Sequence, residues 1–167
     1  GPGQQPAHDH AAHVAGGPGH KDRPHVASVP SLEACATPGA GPRHLDFHPS
    51  GKYAYLMEEM AGAVSTFRYD GKGKFTAIQN ISSHPAGFKG FINSADIHVS
   101  PDGKFLYASN RGESNTIAIF SINEKNGKLK PVGHQPTLGV KPRNFNFDPT
   151  GNFLLVANQE SNNIVIF

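Results

Sequence analysis

A turn that occurs three times constrains the fold of this 167-residue chain more than any other feature. Its prolines, Pro49, Pro101 and Pro149, are spaced by 52 and 48 residues, and each is followed two residues later by glycine. Proline presets φ and glycine tolerates positive φ, so each copy predicts a hairpin turn between two strands. An alternating apolar run precedes each turn and a second apolar run follows it, as in 45–47 and 53–56 around the first turn.

A third strand is predicted after each hairpin, and a fourth after the first two. The third strands cover 64–69, 116–122 and 163–167, and the fourth strands cover 75–81 and 129–136. Four antiparallel strands that recur about every 40 to 50 residues are typical of β-propeller blades. A β-sandwich is the alternative, but sandwiches do not need internal sequence similarity, so the repeated turn favours an all-β propeller.

The predicted blades cover about 41–82, 94–137 and 142–167, and the last of them lacks its fourth strand. Closed propellers typically contain about four to eight blades, so these strands predict an incomplete ring. The favoured interpretation is a portion of a larger protein that is cut within a blade, and the alternative is a ring assembled from several copies. Unpaired blade edges also favour self-association.

Residues 1–40 differ from the rest, because 25 of them are Gly, Pro, Ala or His and none is Phe or Tyr. Such a segment buries too little apolar surface to offset its chain entropy, so we expect a disordered N-terminal tail. Its histidines have a spacing that imidazole-binding metals use: His8, His10, His13, His20 and His25. Because nothing rigid surrounds them, we interpret any metal affinity as incidental and expect no metal or cofactor.

Composition narrows the classes of partner. The 15 Lys and Arg nearly balance 13 Asp and Glu, which leaves no strongly basic face for nucleic acid or anionic membranes. The single cysteine, Cys35, cannot form an internal disulfide. Neither a membrane span nor a secretory signal is recognisable. We therefore expect a soluble, cytoplasmic protein, with the periplasm as the alternative if an upstream signal was removed.

In a four-stranded blade, the start of the inner strand and the end of the second strand lie on one rim near the ring axis. Alignment on the turn proline shows which residues occupy these positions. The inner strands start with Arg43, Ala95 and Arg143, and the second strands end with Glu58-Glu59, Asn110-Arg111 and Asn158-Gln159. Because charged and amide groups vary there, we predict a ligand site on this rim.

The chemistry of the rim residues suits an acidic ligand. Arginine can hold a phosphate or carboxylate through two hydrogen bonds, or stabilise an oxyanion. His98 lies in polar register with Asp96, where an imidazole can act as general acid or base. The competing interpretation is a structural network of salt bridges with a structural histidine. His44 and His48 are predicted to be structural, and the connection 82–93, with His84, is predicted to overhang the rim as a loop.

Five motifs together carry a resemblance that runs through residues 39–167 in order. They are Gly39-Ala40-Gly41-Pro42-Arg43-His44, Tyr53-Ala54-Tyr55, Ala95-Asp96-Ile97-His98, Ser109-Asn110-Arg111 and Lys141-Pro142-Arg143-Asn144-Phe145. At these residues the sequence resembles the lactonase family of seven-bladed β-propellers, which includes propeller-type 6-phosphogluconolactonases and carboxy-cis,cis-muconate cyclases. The resemblance implies hydrolysis of 6-phospho-D-glucono-1,5-lactone or a related lactone, without a required metal.

The resemblance also implies roles for individual residues. It implicates Glu59, His98 and Arg111 in catalysis, and Arg43, Arg143 and His25 in substrate binding. The family has an Asn-Glu pair where this chain has Glu58-Glu59. With several walls of the site missing, we expect the chain as printed to be weakly active or inactive. The alternatives are a lactonizing isomerase of the muconate type and a non-catalytic propeller that binds a ligand or protein on its rim.

Overall fold

The structure, a computed structural model, describes residues 36–167, which form eleven β-strands in three antiparallel sheets. The first sheet contains β1 (Pro42–Phe47), β2 (Tyr53–Glu58), β3 (Ala63–Tyr69) and β4 (Phe75–Ser82) in that order. The second sheet contains β5 (Ser94–Val99), β6 (Phe105–Asn110), β7 (Thr116–Ile122) and β8 (Leu129–Pro136). The third sheet contains β9 (Pro142–Phe147), β10 (Leu154–Asn158) and β11 (Asn163–Ile166).

This arrangement confirms the predicted fold class, because all the regular structure of residues 36–167 is antiparallel β and its three sheets do not close a ring. The histidine-rich part of the predicted tail, with His25, lies outside the described residues. Ala40 is buried, and its carbonyl accepts hydrogen bonds from the amides of Met60 and Ala61 at 3.0 and 3.1 Å. The packed part of the chain therefore includes residues ahead of Gly41.

The repeated turn forms as the sequence predicts. In each copy the glycine amide donates to the carbonyl three residues earlier, at 2.8 Å for Gly51, 2.8 Å for Gly103 and 2.9 Å for Gly151. Proline occupies the second position of the turn, where its fixed φ is favourable, and glycine occupies the fourth. The glycines have φ between +69° and +74°, a region that other residues rarely adopt.

The first two turns also contact each other. His48 Nε2 lies 2.9 Å from the carbonyl oxygen of Gly103, and His48 Nδ1 lies 2.8 Å from Ser50 Oγ. A Cβ on Gly103 would lie only 2.8 Å from the His48 ring, so the close approach requires glycine. His48 joins one hairpin to the next, in agreement with its predicted structural role.

Apolar side chains between neighbouring sheets form the core. Tyr55 and Met57 of β2 pack against Ile97, Leu106 and Phe120 of the second sheet, and all five are fully or almost fully buried. A smaller cluster joins the second sheet to the third: Ile117, Phe145, Leu154 and Val156. On the third sheet Phe153, Ile164 and Ile166 are exposed.

A β-bulge interrupts the start of each inner strand. Pro42 pairs with Glu58 and Leu45 with Leu56, so one extra residue of β1 is accommodated between them. Similar register shifts occur at the starts of β5 and β9. A bulge bends the strand and redirects its side chains. The bulges lie where Arg43 and Arg143 leave their strands, so they determine where these arginines point.

Candidate active site

Three charged side chains meet at the rim between the first two sheets. Arg43 leaves the bulge of β1, and its Nε lies 3.0 Å from Glu59 Oε2. The other carboxylate oxygen, Oε1, accepts a hydrogen bond from Arg111 Nη2. Glu59 and Arg111 each directly follow the second strand of their sheet. We call these residues the arginine–glutamate cluster, in which one carboxylate holds two guanidinium groups in place.

Arg111 is the most enclosed member, with only 5% of its side chain exposed. Its Nη2 also donates to the Ser94 carbonyl at 2.9 Å and to Asn93 Oδ1. A buried guanidinium requires an ionic partner and several acceptors, because desolvation of an unpaired charge is costly. Arg43 Nη1 similarly donates to the Ala95 carbonyl at 2.9 Å. The cluster therefore ties β1 to the start of β5.

The residue before each rim position points into the protein. Glu58 is 1% exposed and accepts hydrogen bonds from Ser65 Oγ at 2.8 Å and Asn80 Nδ2 at 3.0 Å. Asn110 and Asn158 are buried in the same way. The sequence predicted both members of each pair at the rim. That was wrong for the first member, because it is the last residue of its strand and is buried, whereas the second member lies just beyond the strand end.

A second polar group surrounds Asp96, whose side chain is only 3% exposed. Its Oδ1 lies 2.6 Å from His44 Nδ1, and its Oδ2 accepts from Asn144 Nδ2 at 2.6 Å and from the Phe145 amide at 3.1 Å. His98 Nε2 lies 3.3 Å from the same Oδ2. Asp96 therefore receives contacts from β1, β5 and β9, the inner strands of all three sheets.

The partners of Asp96 determine its ionisation. Burial opposes the charged carboxylate, but hydrogen bonds from His98 and His44 outweigh burial and hold the pKa of Asp96 well below its usual range. Burial also disfavours a charged His98, but its hydrogen bond to Asp96 outweighs this effect and raises the pKa of His98. The pair therefore favours an ionised Asp96 and a protonated His98.

Two adjoining cavities connect these groups. The larger has a volume of about 660 Å³ and includes Arg43, His44, Arg143, Asn144 and Gln159 in its lining. The smaller has a volume of about 410 Å³ and is lined by residues of the inner strands, among them Arg43, His44, Asp96 and His98. Both are open to solvent on the described part of the chain. Arg43 and His44 line both cavities, so they link the cluster to the Asp96 group.

Arg143 differs from Arg43 in its partner. It is exposed, and its Nη1 donates to Gln159 Oε1 at 3.4 Å. Gln159 aligns with Glu59 on the turn proline, so a neutral amide replaces the carboxylate. Within residues 36–167, no carboxylate pairs with Arg143. Its positive charge is therefore available to an anionic group in the larger cavity.

Comparison with known proteins identifies the family. The family described as "Lactonase, 7-bladed beta-propeller" matches residues 21–167. The chain is 58% identical over 132 residues to a 6-phosphogluconolactonase of Formosa agariphila, and 44% identical over 131 residues to one of Bacillus subtilis. The chain belongs to the seven-bladed β-propeller lactonase family. Its predicted resemblance to that family is confirmed.

The structural comparison agrees with the sequence comparison. A periplasmic gluconolactonase of Pseudomonas aeruginosa is 40% identical with a TM-score of 0.75, over 78% of this chain and 36% of that one. The matches to the two 6-phosphogluconolactonases each cover 78% of this chain, and 36% and 37% of those relatives. The chain therefore spans little more than a third of the length of these lactonase-family relatives.

Five of the six site residues predicted from the sequence lie in the described part of the chain, and His25 does not. The structure brings Arg43, Glu59 and Arg111 into direct contact. Arg143 shares the larger cavity with Arg43, while His98 lies in the smaller one.

The sequence predicts a structural role for His44, and Asn144 is not among the predicted site residues. Their signal was available, because His44, Asp96 and Asn144 all stand five residues before the turn proline and all are polar.

The connection between the first two sheets contributes one residue to the arginine–glutamate cluster. Asn93 contacts Arg111, and Phe91 is exposed. His84 is buried and stacks on Phe88 with ring centroids 4.6 Å apart, and burial, with a smaller effect of His134, lowers its pKa. His84 therefore packs inside the connection and does not reach the cavities.

Residues 36–167 contain no group of three or more His, Cys, Asp and Glu side chains placed to hold a metal ion. No helix long and apolar enough to cross a membrane occurs among these residues.

Proposed function

We propose that this chain supplies part of a site that hydrolyses acidic sugar lactones, with 6-phospho-D-glucono-1,5-lactone as the expected substrate. One observation carries the proposal: Arg43, which Glu59 holds together with Arg111, shares a cavity with Arg143, which has no carboxylate partner in the described residues. The names of the Formosa and Bacillus relatives support this substrate. The activity corresponds to a carboxylic ester hydrolase.

The arginines have separate roles in this proposal. Arg143 takes the anionic group of the substrate, because its charge is not balanced by Gln159. Arg43 lines both cavities and stabilises the oxyanion that develops at the lactone carbonyl when water attacks it, whereas the nearly buried Arg111 lines neither cavity and positions Arg43 through Glu59. Glu59 fixes both guanidinium groups, so little reorganisation is needed during the reaction.

Hydrolysis of the lactone also requires a general base that removes a proton from the attacking water. Among the predicted catalytic residues, Glu59 and His98 are the candidates for this role. Hydrolysis of an activated ester of this kind needs no metal in the proposed mechanism, because arginines supply the electrophilic assistance. His25 stays a further proposed contact to the substrate.

The first test measures ligand binding by the chain as printed. Isothermal titration with 6-phosphogluconate, the expected product, should show saturable binding, and gluconate should bind about fivefold or more weakly because it lacks the phosphate. Arg143→Ala should remove this preference. Arg68→Ala is a matched control, since Arg68 is an exposed arginine at the far end of β3 and lines neither cavity. Equal affinity for both ligands would contradict the phosphate assignment.

The second test measures turnover in a complete ring. The aligned 131 residues of the Bacillus subtilis relative are replaced by the matching segment of this chain, and lactone hydrolysis is measured above the spontaneous rate. We expect activity in this chimera, and a loss of about a hundredfold or more with Arg111→Ala. Circular dichroism and a cooperative melt establish that each variant is folded. A folded chimera without lactonase activity, or an unaffected Arg111→Ala variant, would overturn the proposal.

The chain as printed is expected to hydrolyse the lactone weakly or not at all. The described cavities are open to solvent, so few side chains surround a bound substrate and fix its orientation. We propose a sugar lactone as its small-molecule partner and a cytoplasmic location. Self-association through the unpaired edge of β11 is a further proposal, and light scattering tests it.

A further inference from the structure

His44 and Asp96 form a pair outside the arginine–glutamate cluster. His44 Nδ1 lies 2.6 Å from Asp96 Oδ1, a short distance that is typical of a charge-assisted hydrogen bond. The carboxylate is only 3% exposed, whereas the imidazole is 43% exposed and lines both cavities. A buried carboxylate therefore holds one ring nitrogen and leaves the rest of the ring facing the cavities.

The partners of His44 determine its tautomer. An ionised carboxylate only accepts hydrogen bonds, so Nδ1 carries the proton. Nε2 lies 3.5 Å from Arg43 Nη1, and a guanidinium only donates. In the neutral ring Nε2 thus carries a lone pair, an assignment that rests on the partners of both nitrogens. A lone pair on a ring that lines both cavities is what a general base requires.

The other candidate bases are more constrained. Both oxygens of Glu59 are engaged by arginines, Oε2 by Arg43 and Oε1 by Arg111. His98 directs its Nε2 to Asp96 Oδ2, and its ring packs edge-on against Phe145 with centroids 4.9 Å apart. His44 presents its unprotonated nitrogen beside Arg43, the arginine proposed to face the lactone carbonyl.

We propose that His44, held by Asp96, is the general base that activates water for lactone hydrolysis. The inference rests on the proposed function. A proton of water moves to His44 Nε2 while the water oxygen bonds to the carbonyl carbon. The ring C–O bond of the lactone then breaks, and the departing oxygen takes the proton from Nε2 to become a hydroxyl. Asp96 stays ionised throughout and acts as a positioning residue.

Charged groups from three strands face this imidazole. Arg43 and Asp46 belong to β1, Asp96 and His98 to β5, and Arg143 to β9. Arg43 and Arg143 bring positive charge to this region, and Asp96 and Asp46 bring negative charge. Variants are therefore needed to isolate the contribution of Asp96.

The first experiment observes the tautomer in the full chain. Histidine is labelled with ¹⁵N, and ring nitrogens are followed by NMR from about one unit below to two units above the ordinary imidazole pKa of about 6.5. We expect neutral His44 to carry its proton on Nδ1, and Asp96→Asn to populate both tautomers. Addition of 6-phosphogluconate should shift the His44 Nε2 resonance. A proton on Nε2 in the neutral ring would overturn the pairing.

The second experiment measures lactone hydrolysis by the folded chimera with the Bacillus subtilis relative, after subtraction of spontaneous opening. His44→Gln should lower the rate constant by about a hundredfold or to the spontaneous rate. His134→Gln, on the outer strand β8 and outside both cavities, is the matched control. If His98→Gln removes the activity and His44→Gln does not, the inference is overturned in favour of His98.

The two proposals fail in distinguishable ways. A folded chimera whose rate equals the spontaneous rate counts against the proposed lactonase function, and the tautomer of His44 and its response to 6-phosphogluconate then decide the role of His44. If 6-phosphogluconate binds normally but does not shift the His44 Nε2 resonance, the result counts against His44 as the general base and leaves the assignment of the arginines unchanged.

Discussion

The first and third sheets contain the same inner hairpin but differ in the charge of the residue that contacts its arginine. In the first sheet Arg43 leaves a bulge and forms an ion pair with Glu59. In the third sheet Arg143 leaves the corresponding bulge and meets the neutral Gln159. The repeat thus retains the position of the arginine while changing the charge opposite it. The residue opposite the arginine therefore decides whether its charge is balanced within the protein, as for Arg43, or is open to an anion, as proposed for Arg143.

The same two sheets also differ in how their faces are covered. Tyr55 and Met57 of β2 are fully buried against the second sheet. Leu155 and Ala157 occupy the same repeat positions in β10 and are only half-buried. Burial rather than sequence position therefore determines how much a side chain of the repeat contributes to stability.

The largest expected difference comes from Tyr55→Ala. The ring is fully buried, and its hydroxyl donates to the Gly127 carbonyl at 3.1 Å, so truncation should lower the free energy of unfolding by about 4 kcal/mol. Leu155→Ala, at the same repeat position of the third sheet, should lower it by about 1 kcal/mol. Urea unfolding measures both. Equal losses would show that the two faces are covered alike.

Glu59→Ala should produce the next largest effect, a loss of about 3 kcal/mol in the free energy of unfolding. Removal of the carboxylate leaves the nearly buried Arg111 without its ionic partner. Gln159→Ala removes only a long hydrogen bond from an exposed arginine and should change stability by about 0.5 kcal/mol or less. If the two variants lose equal stability, the comparison between the two arginine pairs fails.

The pH dependence of the free energy of unfolding should reveal the contribution of the ionised Asp96 carboxylate. Its pKa is lower in the folded chain, so its contribution is present above the unfolded value of about 3.9 and is lost as the pH falls through the folded value. Asp96→Asn should cost about 2 kcal/mol at neutral pH and progressively less in acid. Asn146→Ala, on β9, provides the neutral control, whose cost should not change with pH. A pH-independent cost for Asp96→Asn would contradict the assigned ionisation.

The smallest effect is expected from Gln159→Glu, which copies the Arg43–Glu59 pair into the third sheet. An exposed ion pair should add about 0.5 kcal/mol or less to stability. Affinity for 6-phosphogluconate should fall about fivefold, because Arg143 then has an internal carboxylate. Isothermal titration measures the change, with Glu124→Gln as a charge-altering control on an exposed residue away from both cavities. Unchanged affinity would show that Arg143 does not bind the phosphate.

The sequence predicted the sheets well, because the turn has its own local chemistry. Pro49 and Gly51, with their counterparts, need no distant contact to favour a turn, and alternation assigns the flanking strands. Alignment of the repeats then located the rim, which is why Arg43, Glu59 and Arg111 were found. Arg43 stands at the start of an inner strand, and Glu59 and Arg111 occupy the same repeat position, ten residues after the turn proline.

What the sequence could not provide is how groups from different sheets combine. His44 is predicted to be structural because it lies beside a hairpin, and its contact with Asp96, 52 residues away along the chain, belongs to no local pattern. The bulges raise the same difficulty, since one extra residue redirects every side chain near it. Glu58 and Glu59 are identical in sequence, and only the structure shows that Glu58 is buried at the end of β2 while Glu59 lies just beyond it and contacts Arg43.

The carboxylate of Asp96 makes the three sheets energetically interdependent. In many repeat proteins each unit contacts only its neighbours, so stability is nearly a sum of local terms and unfolding can begin at one end. Here a single buried anion draws donors from the first, second and third sheets. If one sheet unfolds, the Asp96 carboxylate loses a hydrogen-bond donor, and its buried charge is then stabilised only by the donors of the other two sheets. The described sheets should consequently melt in one cooperative transition rather than peel apart blade by blade.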